Sequence, residues 1–153
     1  MKIEGIDRLV IGVKDMDRAL AFFRDVLGVE FTEVTGPAGE LSGCRLAISL
    51  DMHLELLCPV AEPQQVTNPP DPLVLKQRLQ DADAVLYALV FKVNDLDAAT
   101  ADAARLGVRV VGDRFSVPRN DQLRISDFAE VALGEADTFG IKMALAQYRR
   151  DPG

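Results

Sequence analysis

Residues 9–29 read LVIGVKDMDRALAFFRDVLGV, and residues 89–108 read LVFKVNDLDAATADAARLGV. Each has an apolar run ending in Val, then Asp, an apolar residue and Asp, then a helical stretch closed by Leu-Gly-Val. The offset is 80 from Leu9 to Leu89 and 79 from Val29 to Val108, so one residue is deleted inside an otherwise matched unit. Such a repeat is a supersecondary unit that buries its apolar face against its twin.

Working outward from the first copy, Ile6 to Val13 reads as a buried strand. Asp15 is placed to N-cap a helix on which Met16, Ala19, Leu20, Phe23, Val26 and Leu27 recur at helical spacing, and Gly28 ends it. Val29 to Thr35 reads as a strand and Gly36-Pro37-Ala38-Gly39 as a turn. Cys44 to Leu50 and His53 to Cys58 read as two more strands around Asp51-Met52. Pro59, Pro63, Pro69, Pro70 and Pro72 then forbid regular pairing and mark a linker, ending in a short helix from about Leu73 to Leu79.

The second copy repeats the order. Val85 to Val93 is a strand, Asp95 caps a helix with Leu96, Ala99, Ala103 and Leu106 on one face, and Gly107 closes it. Val108 to Val111 is a strand, Arg114 to Gln122 an excursion forced by Pro118 and Asn120-Asp121, and Leu123 to Leu133 one or two strand pieces. Ile141 to Gln147 is the last strand, with a fraying tail from Arg149. The predicted fold class is α+β in one domain. Two βαβββ modules, 1–58 and 85–148, are joined by a linker with a short helix over 59–80, forming a curved, barrel-like mixed sheet.

At 153 residues and 48% hydrophobic content the chain can bury a core. A net charge of −7 argues against nucleic acid, whose phosphates attract clustered Lys and Arg. Cys44 and Cys58 form no metal-type spacing and read as reduced thiols. No stretch reads as a signal peptide or a membrane span, so the expectation is a cytoplasmic protein without membrane contact.

The two units, with Leu9-Val10-Ile11-Gly12-Val13-Lys14-Asp15-Met16-Asp17, Phe22 to Gly28 and Leu54-Glu55-Leu56-Leu57, resemble the vicinal oxygen chelate superfamily. That family includes glyoxalase I, bleomycin-resistance proteins, extradiol dioxygenases and methylmalonyl-CoA epimerase. The resemblance implies a metal held by a His on the first strand of each unit and a Glu or Gln on each last strand. Those positions fall here on Arg8, Glu55, Ala88 and Ala144. Arg8 is always charged and has no lone pair to give, so the expectation is no metal and no other cofactor.

The retained Glu55 is a candidate general base, with Arg8 as its expected buried partner. His53 lies two residues before Glu55, on the same face if the strand alternates regularly, and is a second acid/base candidate. Lys142 and Lys92 are candidates to line the cavity mouth and favour an anionic ligand, and Ala88, Ala144 and Ala146 leave room for an apolar body. Repacking by Phe22, Phe91 or Phe128 would fill that room.

Three functions follow. The first is metal-independent binding or sequestration of a small, partly apolar, anionic or carbonyl-bearing ligand, as in bleomycin-resistance-like members. The second is a metal-free glyoxalase- or epimerase-like isomerase or lyase, with Glu55 as base and Arg8 stabilising the enolate. The third is a degenerate domain with a protein-interaction role. The resemblance also implies a homodimer.

Overall fold

The structure is a computed structural model and describes residues 1–36, 39, 42–60, 62 and 71–152. Unit one runs β1 (Ile3–Val13), α1 (Met16–Leu27), β2 (Thr32–Val34), β3 (Cys44–Ser49) and β4 (Leu54–Pro59). A short helix α2 (Pro72–Arg78) precedes unit two: β5 (Ala84–Val93), α3 (Leu96–Arg105), β6 (Val110–Asn120), β7 (Ile125–Leu133) and β8 (Met143–Arg150). The eight strands form one curled sheet in the order β2-β3-β4-β1-β5-β8-β7-β6, in which the second half mirrors the first.

The join between halves is the antiparallel β1–β5 pair, where Leu9 opposes Leu89, Arg8 opposes Val90 and Val10 opposes Ala88. In the repeat, Leu89 is the counterpart of Leu9, Val90 of Val10 and Ala88 of Arg8. A pseudo-two-fold axis therefore passes through the Leu9–Leu89 pair. The flanking parallel pairs agree: Val10 opposes Glu55 on β4 as Val90 opposes Ala144 on β8. The register thus makes Glu55 and Ala144 equivalent, as the sequence alignment of the two units has it.

The caps form as their residue types dictate. The Asp15 carboxylate accepts from Arg18 N and that of Asp95 from Ala98 N, filling free N–H groups of each first turn. Gly28 takes a left-handed φ of 68°, and Val29 N bonds back to Phe23 O. That return holds Val29 off the sheet, which is why β2 begins at Thr32 and not at Val29.

Three cores result. Helix α1 covers the outer face of unit one through Met16 against Ala47 and Leu56, with Phe23 and Phe31 packed alongside. Helix α3 covers unit two through Leu96, Ala99 and Ala103 against Val131 and Leu145. Val26, Leu27 and Leu106, expected on the buried faces, are exposed. The inner core packs α2 through Leu75 and Leu79 against Val10, Leu57, Val90 and Ala144. Gly12 permits this approach, because a Cβ there would overlap Leu75 Cδ1 and lie 3.2 Å from Val85 Cγ2.

Unit two departs from expectation in two places. Arg114 to Asn120 is no excursion but part of β6, an 11-residue strand at the end of the sheet, where Pro118 needs no N–H partner. Leu123 to Leu133, expected as one or two strand pieces, holds one strand, β7. Arg149 and Arg150 do not fray: they pair with Ser126 and Ile125 on β7. In unit one the expected turn at Gly36–Gly39 includes Pro37 and Ala38, and the linker includes Ala61 and residues 63–70; these lie outside the described residues.

Candidate functional site

Arg8 lies on the inner face of β1, 5% exposed. The register skips Asp7, because Ile6 opposes Phe91 and Arg8 opposes Val90. This bulge turns Asp7 and Arg8 inward together, where a regular strand would send them to opposite faces. The Arg8 guanidinium then meets three carboxylates. Its Nε donates to Glu55 Oε2, its Nη1 to Asp7 Oδ2, and its Nη2 to Glu130 Oε2 at 2.5 Å.

The predicted Arg8–Glu55 pair forms, but Asp7 and Glu130 were not foreseen. Nε and Nη2 make one edge of the guanidinium, which a single carboxylate can bridge with two parallel bonds. Here that edge is divided between Glu55 of unit one and Glu130 of unit two. Burial pushes the Glu130 carboxyl up from the ordinary glutamate range; Arg8 opposes the rise, while Glu55 and Asp7 add to it. For Arg8, burial alone would lower the pKa, but the attraction of Glu55, Glu130 and Asp7 outweighs it and holds the group well above its usual value.

Aromatic rings wall the cluster. Arg8 lies over Phe128, 5.7 Å from the ring centre, and Phe128 stacks on Tyr148 at 6.0 Å. The Tyr148 hydroxyl donates to Asp7 Oδ1 at 2.6 Å, and burial, then Asp7, pushes its pKa up. Of the three rings considered for filling the barrel, only Phe128 packs with the inner core; Phe22 is exposed and Phe91 joins the α3 core. Ala144 and Ala146 are buried in the inner core and Ala88 packs against it.

His53 does not pair with Glu55. It belongs to the turn before β4, with a left-handed φ of 55° that breaks the expected alternation. Its Nδ1 lies 2.8 Å from the Asp7 carbonyl oxygen. Lys142 is not at the Arg8 end. It stands over the Tyr87 ring at 4.8 Å, 3.7 Å from Glu135, beside the start of α2. Lys92 is at the Arg8 end instead, its Nζ 4.1 Å from the centre of the Tyr148 ring.

Among the described residues, two neighbouring cavities line this end of the barrel. One, of about 370 Å³, is lined by Asp7, His53, Lys92, Tyr148, Asp51 and Arg150 among others. Its neighbour, of about 490 Å³, lies between Thr32 and Ile48 of unit one and Leu123 and Arg124 of unit two. Above the second, Gln122 clasps Thr35 by accepting from its N at 2.9 Å and donating to its Oγ1 at 3.0 Å.

The residues present do not fit the metal that the family resemblance implies. A cation already occupies the centre as Arg8, and two of the four positions are alanines. Among the described residues no group of three or more His, Cys, Asp or Glu could hold a metal ion. Nor is any described helix long and apolar enough to cross a membrane.

A search of curated proteins finds no match. Among solved structures, the chain is similar to methylmalonyl-CoA epimerase from Mycobacterium tuberculosis, with 22% identity, TM-score 0.69, and 98% of this chain and 90% of that chain covered. It is similar to a variant of the Streptomyces coelicolor epimerase in complex with 2-nitronate-propionyl-CoA (26%, TM-score 0.67, coverage 95% and 98%). It is also similar to a methylmalonyl-CoA epimerase in complex with methylmalonyl-CoA and NH4+ (25%, TM-score 0.68, coverage 99% and 100%). The profile described as Glyoxalase/Bleomycin resistance protein/Dioxygenase superfamily matches residues 5–145, nearly the whole repeat. With the mirrored βαβββ units and their register, this match shows that the chain belongs to the glyoxalase/bleomycin resistance protein/dioxygenase superfamily.

Proposed function

We propose that the chain is an epimerase- or isomerase-like enzyme that moves a proton at a carbon next to a carbonyl, without a metal. The carrying observation is the division of one Arg8 edge between Glu55 and Glu130 inside the barrel. Burial holds the Glu130 carboxyl up, which suits it to give a proton, and Glu55 on the same guanidinium edge is placed to accept one. Glu55 takes the role of base, and Glu130, held up by burial, that of acid. Arg8 uses three of its five N–H groups on the carboxylates among the described residues, leaving two to stabilise an enolate oxygen. The end-to-end likeness to epimerases of an acyl-CoA supports a thioester or related carbonyl compound as substrate.

The test is incubation with methylmalonyl-CoA and 2-methylacetoacetate in D2O, following deuterium at the carbon between the carbonyls by mass spectrometry. Wild-type protein should exchange at least one, and Glu55→Gln should exchange it slower by about 10²-fold or more. Exchange of neither, or exchange unaffected by Glu55→Gln, overturns the proposal.

A second reading, bleomycin-resistance-like binding without turnover, is favoured by a different observation. Arg8 and Glu55 are each only 5% exposed, so a ligand would meet the cavities beside the cluster before the cluster itself. Under that reading Glu55→Gln leaves affinity nearly unchanged. In either case a homodimer is the assembly we propose, from the family resemblance.

A further inference from the structure

We propose that the cavity of about 370 Å³ at the start of β1 is a separate binding site for a small carboxylate carrying a hydroxyl or amine, anchored by Lys92 with His53 as hydrogen-bond acceptor. This does not rest on proton transfer at Glu55.

The site is built by irregularities in otherwise regular elements. Strand β1 breaks register twice as it enters the sheet, skipping Glu4 and Asp7, and Gly5 between them takes a φ of 148°. His53, across the cavity, holds a left-handed conformation that a non-glycine residue adopts at a cost. Bulges and strained residues of this kind gather where a strand re-aims side chains at a ligand. The cavity volume suits a small molecule.

The chemistry of the wall selects the ligand. Asp7 is already engaged by Arg8 and Tyr148, and Arg150 and Asp51 neutralise each other at 2.7 Å. Lys92 forms no ion pair among the described residues and is held half-buried over the Tyr148 ring. It is the partly desolvated charge left unspent, and it calls for an anion. The Asp7 carbonyl can only accept, so His53 Nδ1 donates to it, and Nε2 is the ring nitrogen left to accept from a ligand's donor. Glu4, exposed at the lip, offers a second acceptor. One cation with two acceptors matches a monocarboxylate bearing a donor, and disfavours a dianion.

His53 is the chain's only histidine, so its imidazole gives a single-residue NMR signal. The experiment titrates the full chain with lactate and follows the His53 ring resonance, with sodium chloride at matched ionic strength and choline chloride as comparators. Lactate should move the signal saturably, and acetate, which lacks the hydroxyl, should do so more weakly. Lys92→Met and Lys92→Gln should each weaken lactate by about tenfold or more, the scale of one charge-assisted hydrogen bond, and either one that folds suffices. Lys142→Met, which removes a cation beside Tyr87 away from this cavity, should leave the titration intact, which separates loss of Lys92 from loss of charge alone. A shift equal to that of sodium chloride, one that survives both Lys92 variants, or saturation by choline instead would overturn the proposal.

Discussion

Replacing Arg8 by Met removes the one cation from a site holding three carboxylates. The Arg8 side chain is 6% exposed, those of Asp7, Glu55 and Glu130 are 1%, 7% and 11%, so solvent screens little of the change. Breaking a buried pair by removing one partner costs about 3–5 kcal/mol, because a charge is left uncompensated. At about 2–4 °C per kcal/mol for a domain of this size, the melting temperature should fall by about 6–20 °C. The loss should depend on pH with a definite sign. Without Arg8 the carboxylates titrate higher in the folded state than in the unfolded chain, so the folded state binds more protons and gains stability as pH falls. Arg8→Met should therefore recover toward wild type on moving from pH 8 to pH 5. The measurement is urea unfolding followed by circular dichroism at both pH values. An Arg8→Met protein within about 1 kcal/mol of wild type at pH 8, or a deficit that does not shrink at pH 5, would refute the reasoning.

Other outcomes follow from single features. In wild-type protein the raised Glu130 pKa means its share of stability is fully present below the unfolded glutamate value and is lost as pH rises through the folded one. Glu130→Gln should flatten that part of the pH–stability profile, read by thermal melts from pH 4 to 8. Gly12→Ala pushes a methyl into Leu75, which is fully buried and has no room to swing, and should cost about 1–3 kcal/mol in urea unfolding. Asp71→Ala removes the acceptor for Leu73 N and Val74 N at the start of α2 and should cost about 1 kcal/mol by the same assay. Burial pushes the Cys44 thiol up to about 12 and raises that of Cys58 too, but only Cys58 is part-exposed, so a thiol reagent at pH 8 should titrate Cys58 alone, slowly, in native protein and both after unfolding.

The fold was legible because its signals are local and repeated. Asp15 and Asp95 cap where an Asp before an apolar helical run must, and the 80-residue offset reappears as the β1–β5 register. The site was legible only in half. Arg8 and Glu55 could be placed by matching the two units, but Glu130 has no polar counterpart: opposite Ala146 it occupies the place that Leu46 fills opposite Leu57. A lone charge inside the apolar run Phe128 to Leu133 was a signal, but without the register of β7 it could not be aimed. Asp7 was hidden for another reason, since regular alternation sends it away from Arg8 and only the bulge brings it back. His53 failed in the opposite sense, its left-handed turn removing it from the face that alternation assigned.

The pseudo-two-fold through Leu9 and Leu89 has a consequence for how the chain could come apart. What joins the halves is the β1–β5 strand pair, the shared inner core and side-chain contacts such as Arg8 to Glu130, Arg150 to Asp51 and Tyr148 to Asp7, rather than the peptide that runs between them. A chain nicked once between Val60 and Asp71 would leave two fragments, each with its own helix-backed sheet and its own edge of the β1–β5 seam. Such fragments carry the information to find each other, so the protein is in effect a heterodimer that happens to be tethered, and co-expressed halves should reassemble the barrel without the covalent link.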